Sequence, residues 1–146
     1  MNSINSEAQV RVLGSSAQLL HALHNSVAAG FPSPAEDMGG QRVDLTRELV
    51  EHPQATFLLR ARGISMTGAG ILDGDILVVD RALSARSGSI VVAVVDGEFT
   101  VKTLQRQGAR VWLRAAHPAY HDIEPAEGQT LEVWGVVTAA IHRFVG

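Results

Sequence analysis

Short runs of apolar and β-branched residues, separated by turn residues, dominate the chain from about residue 55 onward. Regular spacing of this kind, without helical periodicity between the runs, predicts a mainly β fold built as a compact antiparallel sheet or barrel-like domain. We expect strands over residues 55–62, 76–80, 89–95, 98–104, 110–114 and 131–142. Asp96-Gly97 separates two of these runs by two turn residues, which favours a tight hairpin.

The pattern changes before residue 30. Leu20, Leu23 and Val27 recur at helical spacing, and Ser15 or Ser16 can cap such a helix. We therefore expect an N-terminal arm that is either helical or flexible.

A linker follows the arm, because Pro32 and Pro34 stand among small residues and favour extended backbone. Asp44 can then cap a short helix over residues 45–51, which Pro53 ends. The predicted division is an arm (residues 1–29), a linker (residues 30–43) and a β domain (residues 44–146).

Composition narrows the possible functions. The 146 residues are 46% hydrophobic and carry a formal net charge of −3, with no basic run. A surface that binds nucleic-acid phosphates is therefore not expected. No cysteine is present, which excludes disulfides and thiolate zinc sites. The longest apolar run, residues 90–95, is too short to span a bilayer, which takes about 20 residues. Since no signal peptide is apparent either, we expect a cytoplasmic protein without membrane contact. We also expect no cofactor and no metal.

Lys102 is the only lysine among 12 basic residues. It lies in an uncharged, β-branched run and is flanked on its predicted face by Thr100 and Leu104. Unlike arginine, a desolvated lysine can lose its proton, so Lys102 is a candidate general base. The alternative is a surface lysine on a half-exposed strand.

Ser65 is the candidate nucleophile. It follows a predicted strand within a glycine-rich stretch, residues 62–70, that permits a sharp turn. Such a turn can present a hydroxyl together with backbone N–H groups, as an oxyanion hole requires. The alternative is an ordinary turn serine.

Other candidate sites have weaker patterns. His117 and His121 lack a third metal ligand. Asp73, Asp75 and Asp80 are interpreted as turn and strand-edge acids.

Three segments together resemble the LexA/UmuD family of self-cleaving Ser–Lys peptidases: Ala29-Gly30, residues 63–66 (Gly-Ile-Ser-Met) and residues 99–102 (Phe-Thr-Val-Lys). The likeness runs from about residue 28 to residue 137. It includes residues 70–75 (Gly-Ile-Leu-Asp-Gly-Asp) and residues 133–137 (Val-Trp-Gly-Val-Val).

The resemblance implies a role for each matching residue. Ser65 corresponds to the nucleophile, Lys102 to the general base, and Ala29-Gly30 to the bond that the family cuts. The backbone N–H groups of Ile64 and Ser65 correspond to the oxyanion donors.

The UmuD branch is expected rather than the repressor branch, because only 29 residues precede Gly30 and their sequence predicts no basic recognition helix. The resemblance to this branch implies self-cleavage on a RecA-type recombinase filament on single-stranded DNA. It further implies that the shortened homodimer serves a UmuC-like lesion-bypass polymerase, and we expect no specific DNA binding by the chain itself. The apolar positions of residues 131–145 can form a dimer face or belong to the core; they include Trp134, Val136, Val137, Ile141 and Phe144.

Two other functions remain open. The chain can be a β domain that regulates a polymerase or repressor without being cut, because linkers and glycine-rich turns of this kind are common. A small DNA-binding regulator is disfavoured by the acidic balance.

Overall fold

The computed structural model describes residues 18–24, 26–32 and 39–146. Its strands are β1 (Leu19–Leu23), β2 (Gly40–Asp44), β3 (Thr56–Arg60), β4 (Ile76–Asp80), β5 (Ile90–Val95), β6 (Glu98–Gln107), β7 (Arg110–Arg114) and β8 (Leu131–Ile141). One helix, α1 (Leu45–Leu49), and two 3₁₀ turns (Pro53–Ala55 and Thr67–Ala69) complete the described elements. The predicted mainly β, antiparallel fold class is confirmed.

Residues 52–146 form a compact unit around a six-stranded sheet in the order β3-β4-β8-β5-β6-β7. Every neighbouring pair in this sheet is antiparallel. The predicted hairpin is confirmed: Val95 pairs with Glu98, and Asp96 and Gly97 have φ values of 49° and 82°. Two left-handed residues match the twist of the flanking strands, so β6 is held firmly against β5.

Apolar side chains cover both faces of this sheet, because successive strand residues point to opposite sides. One buried cluster contains Ala61, Met66, Ile71, Leu77, Val79 and Val92. The other contains Val91, Ala93, Leu104 and Leu113. Adjacent residues of β5 thus belong to different clusters, and the strand is fixed from both sides.

Two of the strand edges that lack a described strand neighbour lie at β3 and in the first half of β6. Strand β3 ends the sheet and pairs only with β4. Within β6, residues 103–107 pair with β7, whereas residues 98–102 pair only with β5. Backbone N–H and C=O groups at such edges can hydrogen-bond to another extended chain.

A second compact unit spans residues 11–51, of which residues 18–24, 26–32 and 39–51 are described. It contains the antiparallel pair β1 and β2, with Leu19 opposite Asp44 and Leu23 opposite Gly40. The expected helix is wrong for Leu20 and Leu23, which lie in β1. The backbone partners that favour a strand here come from β2, far along the chain, and local spacing does not reveal them.

The other expectations for this part of the chain have separate outcomes. Ser15 and Ser16 lie outside the described residues. The short helix is confirmed: the Asp44 side chain accepts hydrogen bonds from Thr46 N and Arg47 N at the start of α1. The predicted division at residues 29 and 43 stays a prediction.

The candidate dimer residues differ in exposure. Trp134 and Val137 pack against the first core cluster, and Val136 is partly buried. Ile141 is 37% exposed and Phe144 is 91% exposed. The end of the chain is therefore the most accessible part of the proposed face.

Candidate active site

Ser65 lies in a turn that follows β3. The chain leaves the strand at Arg60, passes through Gly63 with φ of +89° and reaches Ser65, which is half-buried. The next side chain, Met66, is 2% exposed and belongs to the core. On the other side, Ala116 N donates a 2.8 Å hydrogen bond to Ser65 O. The serine is thus fixed by the core and by a neighbouring loop.

Lys102 approaches Ser65 from the middle of β6. Its Nζ donates hydrogen bonds to Ser65 Oγ at 3.1 Å, to Thr100 Oγ1 at 2.8 Å and to Val101 O at 3.1 Å. The structure therefore brings together the two side chains that the sequence singled out, although they lie 37 residues apart. A separation of 3.1 Å is within the range in which a base can take a proton.

The surroundings of Lys102 favour its neutral form. The residue is only 8% exposed, and among the described residues no carboxylate forms a salt bridge with it. Burial lowers the pKa of Lys102 below its ordinary value. The physical cause is desolvation, which penalises the ammonium ion more than the amine.

Backbone donors are available beside the Ser65 hydroxyl. The N–H groups of Ile64 and Ser65 have no hydrogen-bond partner within the described part of the chain. The N–H of Gly63, by contrast, donates to Asp73 Oδ1 at 2.6 Å. Two adjacent free N–H groups at a tight turn can stabilise a negatively charged oxygen.

A cleft of about 330 Å³ is lined by Lys102 and its neighbour Thr100. Residues 59–62 form one wall and residues 99–102 form the other, while Leu77 and Val92 lie between them. The walls are the end of β3 and the part of β6 that lacks β7 as a neighbour, so both present backbone hydrogen-bonding groups. The cleft can accept an extended chain of small residues.

The predicted scissile residues belong to the other compact unit. Ala29 and Gly30 are exposed and lie in the segment that connects β1 with β2. Val27 and Phe31 on either side are 91% and 90% exposed. The bond is therefore accessible to a protease site.

Thr100 and Asp73 contact the site, and the sequence assigns neither residue a role there. Strand alternation already places Thr100 on the face of Lys102, so this contact had a signal in the sequence. The sequence pattern indicates only a turn acid at Asp73, because its contact with Gly63 joins two segments that no local pattern connects.

Within the described ranges, no group of three or more His, Cys, Asp or Glu side chains could hold a metal ion. The His117 ring stacks edge-on against Tyr120, and its Nδ1 accepts a hydrogen bond from Ala119 N. Across the same ranges, no helix has the length and hydropathy needed to cross a membrane.

A family model and several known proteins match this chain, and they indicate the same family. A family model described as "Peptidase S24-like" matches residues 21–138. Protein SamA of Salmonella typhimurium is 47% identical over 115 residues, which cover 79% of this chain and 79% of SamA. Protein MucA of Escherichia coli is 44% identical over 117 residues, again 79% of each chain.

A repressor is also similar, but over less of its length. The LexA repressor of Acidothermus cellulolyticus is 43% identical over 118 residues, which cover 81% of this chain and 42% of the repressor. SamA and MucA therefore match this chain over a larger share of their own length than the repressor does. The chain belongs to the S24-like, LexA/UmuD family of self-cleaving serine peptidases, and within it to the UmuD branch.

Proposed function

We propose that this protein cuts its own Ala29–Gly30 bond, with Ser65 as nucleophile and Lys102 as general base. The shortened product, residues 30–146, then acts as a homodimeric accessory subunit of a UmuC-like lesion-bypass DNA polymerase. Family membership supports the self-cleaving role. The observation that carries the assignment of residues is the 3.1 Å hydrogen bond between Lys102 Nζ and Ser65 Oγ.

The chemistry begins with the loss of a proton from Lys102 to solvent. The neutral amine then accepts the proton of Ser65 Oγ as this oxygen attacks the carbonyl carbon of Ala29. Negative charge develops on the Ala29 oxygen, and the N–H groups of Ile64 and Ser65 are placed to stabilise it. Burial of Lys102 favours these proton transfers, since burial lowers the pKa of Lys102.

Collapse of the tetrahedral intermediate completes the cut. The Lys102 ammonium gives its proton to the departing nitrogen of Gly30, and Ala29 remains esterified to Ser65. Lys102 then deprotonates a water molecule that hydrolyses this ester, which restores the free serine and releases the Ala29 carboxylate. The substrate is part of the same protein, so each chain is cut once.

The linker suits the cleft in size and backbone shape. Ala29 and Gly30 have minimal side chains, and Pro32 disfavours helix immediately after the bond. The free edges of β3 and of residues 98–102 can hydrogen-bond to an extended segment. Tethering the substrate to the enzyme raises its effective concentration, so weak binding is sufficient.

Membership of the UmuD branch supports a proposal for the biological setting. We infer that a RecA-type recombinase filament on single-stranded DNA stimulates the cut in the cytoplasm, and that the product dimerises before it joins the polymerase subunit. The exposed apolar side chains of Ile141, Phe144 and Val145 support a dimer face at the end of the chain. The net charge of −3 argues against specific DNA binding by this chain alone.

Mass spectrometry of the purified protein after incubation with a recombinase filament tests this proposal. We expect a product that begins at Gly30, formed faster than without the filament, and no product from Ser65→Ala. A wild-type protein that stays intact with the filament and at alkaline pH would instead indicate an uncut interaction module.

A further inference from the structure

The segment 70–75 (Gly-Ile-Leu-Asp-Gly-Asp) belongs to the family resemblance, but the proposed chemistry gives it no role. The structure places one of its side chains against the nucleophile turn. Asp73 Oδ1 accepts a hydrogen bond from Gly63 N at 2.6 Å, two residues before Ser65. The donor and acceptor come from two loops that are ten residues apart in sequence.

The loop that carries Asp73 is itself held firmly. Ala61 N donates to Asp75 O, and Gly74 N donates to Ala61 O, each at 2.8 Å. The Asp75 carboxylate, 1% exposed, accepts from Leu72 N at 2.8 Å. These hydrogen bonds fix the backbone of the loop that carries Asp73. The hydrogen bond from Gly63 N to Asp73 therefore restrains the turn before Ser65.

Gly63 is the position in the turn that most needs such support. Its φ of +89° is a left-handed conformation that side-chain-bearing residues rarely adopt, although no atom would obstruct an added Cβ. Glycine permits this conformation, but it also lets the backbone rotate to other φ and ψ values. Because the peptide after Gly63 carries the Ile64 N–H, rotation at Gly63 redirects one of the proposed oxyanion donors.

We propose that Asp73 is a positioning residue for the oxyanion hole. Its carboxylate fixes the Gly63 N–H, and the fixed glycine aims the Ile64 N–H at the oxygen that becomes negative. The same bond occupies the Gly63 N–H, which leaves the N–H groups of Ile64 and Ser65 as the donors. The inference rests on the proposed function, because an oxyanion hole matters only if Ser65 attacks a carbonyl.

Self-cleavage kinetics of Asp73 variants test the inference. Asp73→Ala should lower the maximal rate at high pH by about 10-fold, because the Ile64 N–H is no longer held in the direction of the developing oxyanion. The pH at half-maximal rate should not move, since Lys102 sets it. Asp73→Asn keeps an oxygen acceptor and should restore most of the rate. Glu127→Ala removes an exposed acid far along the sequence from both loops and should match the wild type.

Amide hydrogen exchange provides a readout that does not depend on cleavage. In a Ser65→Ala background, adding Asp73→Ala should speed exchange at Gly63 by about 10-fold, and adding Asp73→Asn should have a smaller effect. Equal exchange at Gly63 in all three proteins would overturn the inference. So would a shifted half-maximal pH with an unchanged maximal rate, because that result assigns the carboxylate an electrostatic effect on Lys102.

The outcomes also separate this inference from the proposed function. If Ser65→Ala cleaves like the wild type, the proposed function fails. If Ser65→Ala is inactive while Asp73→Ala cleaves at the wild-type rate, only the role of Asp73 is lost.

Discussion

Thr100 Oγ1 lies 2.8 Å from Lys102 Nζ, closer than the 3.1 Å that separates this nitrogen from Ser65 Oγ. Thr100 and Lys102 lie on β6, two positions apart and on the same face. The threonine hydroxyl therefore restrains the end of a long, flexible side chain. Without that restraint, Nζ is free to leave hydrogen-bonding distance of the serine.

Thr100→Val should slow self-cleavage by about 10-fold, equivalent to ~1.4 kcal/mol, because it replaces the hydroxyl with a methyl group of similar shape. Thr100→Ser, which keeps the hydroxyl, should cleave nearly normally. The matched control is Thr103→Val on the opposite face of β6, which should leave the rate unchanged. The measurement is the rate at which the Gly30 fragment forms; equal rates for Thr100→Val and Thr103→Val would contradict this role.

The cleavage rate should rise with pH and then level off. Only neutral Lys102 can accept the serine proton, and burial lowers the pKa of this residue from 10.5. The half-maximal rate should therefore fall below pH 10.5. The measurement is the rate of fragment formation from about pH 6 to pH 11, in steps fine enough to locate the midpoint. A rate that is independent of pH, or a midpoint at or above 10.5, would contradict the assignment of Lys102.

The same pKa shift predicts how stability varies with pH. The folded protein binds the Lys102 proton less tightly than the unfolded chain, so the free energy of unfolding should increase as pH rises from the lowered pKa toward 10.5. Lys102→Met removes this contribution. Urea unfolding of Ser65→Ala and of Lys102→Met should show the methionine variant gaining stability relative to the serine variant at neutral pH, and the difference shrinking toward pH 10.5. A constant difference would contradict the prediction.

The β1–β2 pair should depend on a glycine. A Cβ at Gly40 would meet the backbone oxygen of Ala22 and lie 2.8 Å from Leu23 Cα, and backbone atoms cannot easily move aside. Gly40→Ala should therefore separate β1 from β2 and speed amide exchange in β1 without changing exchange in the six-stranded sheet. Gln41→Ala, an exposed substitution on the same strand, is the control. Unchanged exchange in β1 of Gly40→Ala would contradict this packing.

The regular strands of the main sheet could be predicted because their information is local. β-branched runs and the Asp96-Gly97 turn identify β5 and β6, and Asp44 identifies the start of α1. The strand β1 could not be predicted in this way, since its leucines fit helical spacing and its partner lies far along the chain.

The candidate site shows the same division between local and non-local information. Ser65 and Lys102 stand out by their residue type and context, and alternation along β6 adds Thr100. The contact between Asp73 and Gly63 depends on how two loops pack. Asp75 and Asp80 are interpreted from sequence as turn and strand-edge acids, yet they are 1% and 2% exposed. Each lies within hydrogen-bonding distance of a histidine, His142 and His52 respectively.

The central claim is that a neutral Lys102 activates Ser65 to cut the Ala29–Gly30 bond. Its most direct test is mass spectrometry of the wild type, Ser65→Ala and Lys102→Arg after incubation at alkaline pH. Arginine keeps the positive charge but cannot serve as the base. We expect the wild type alone to yield residues 1–29 and 30–146, while both variants stay intact. Cleavage of Lys102→Arg at the wild-type rate would contradict the account.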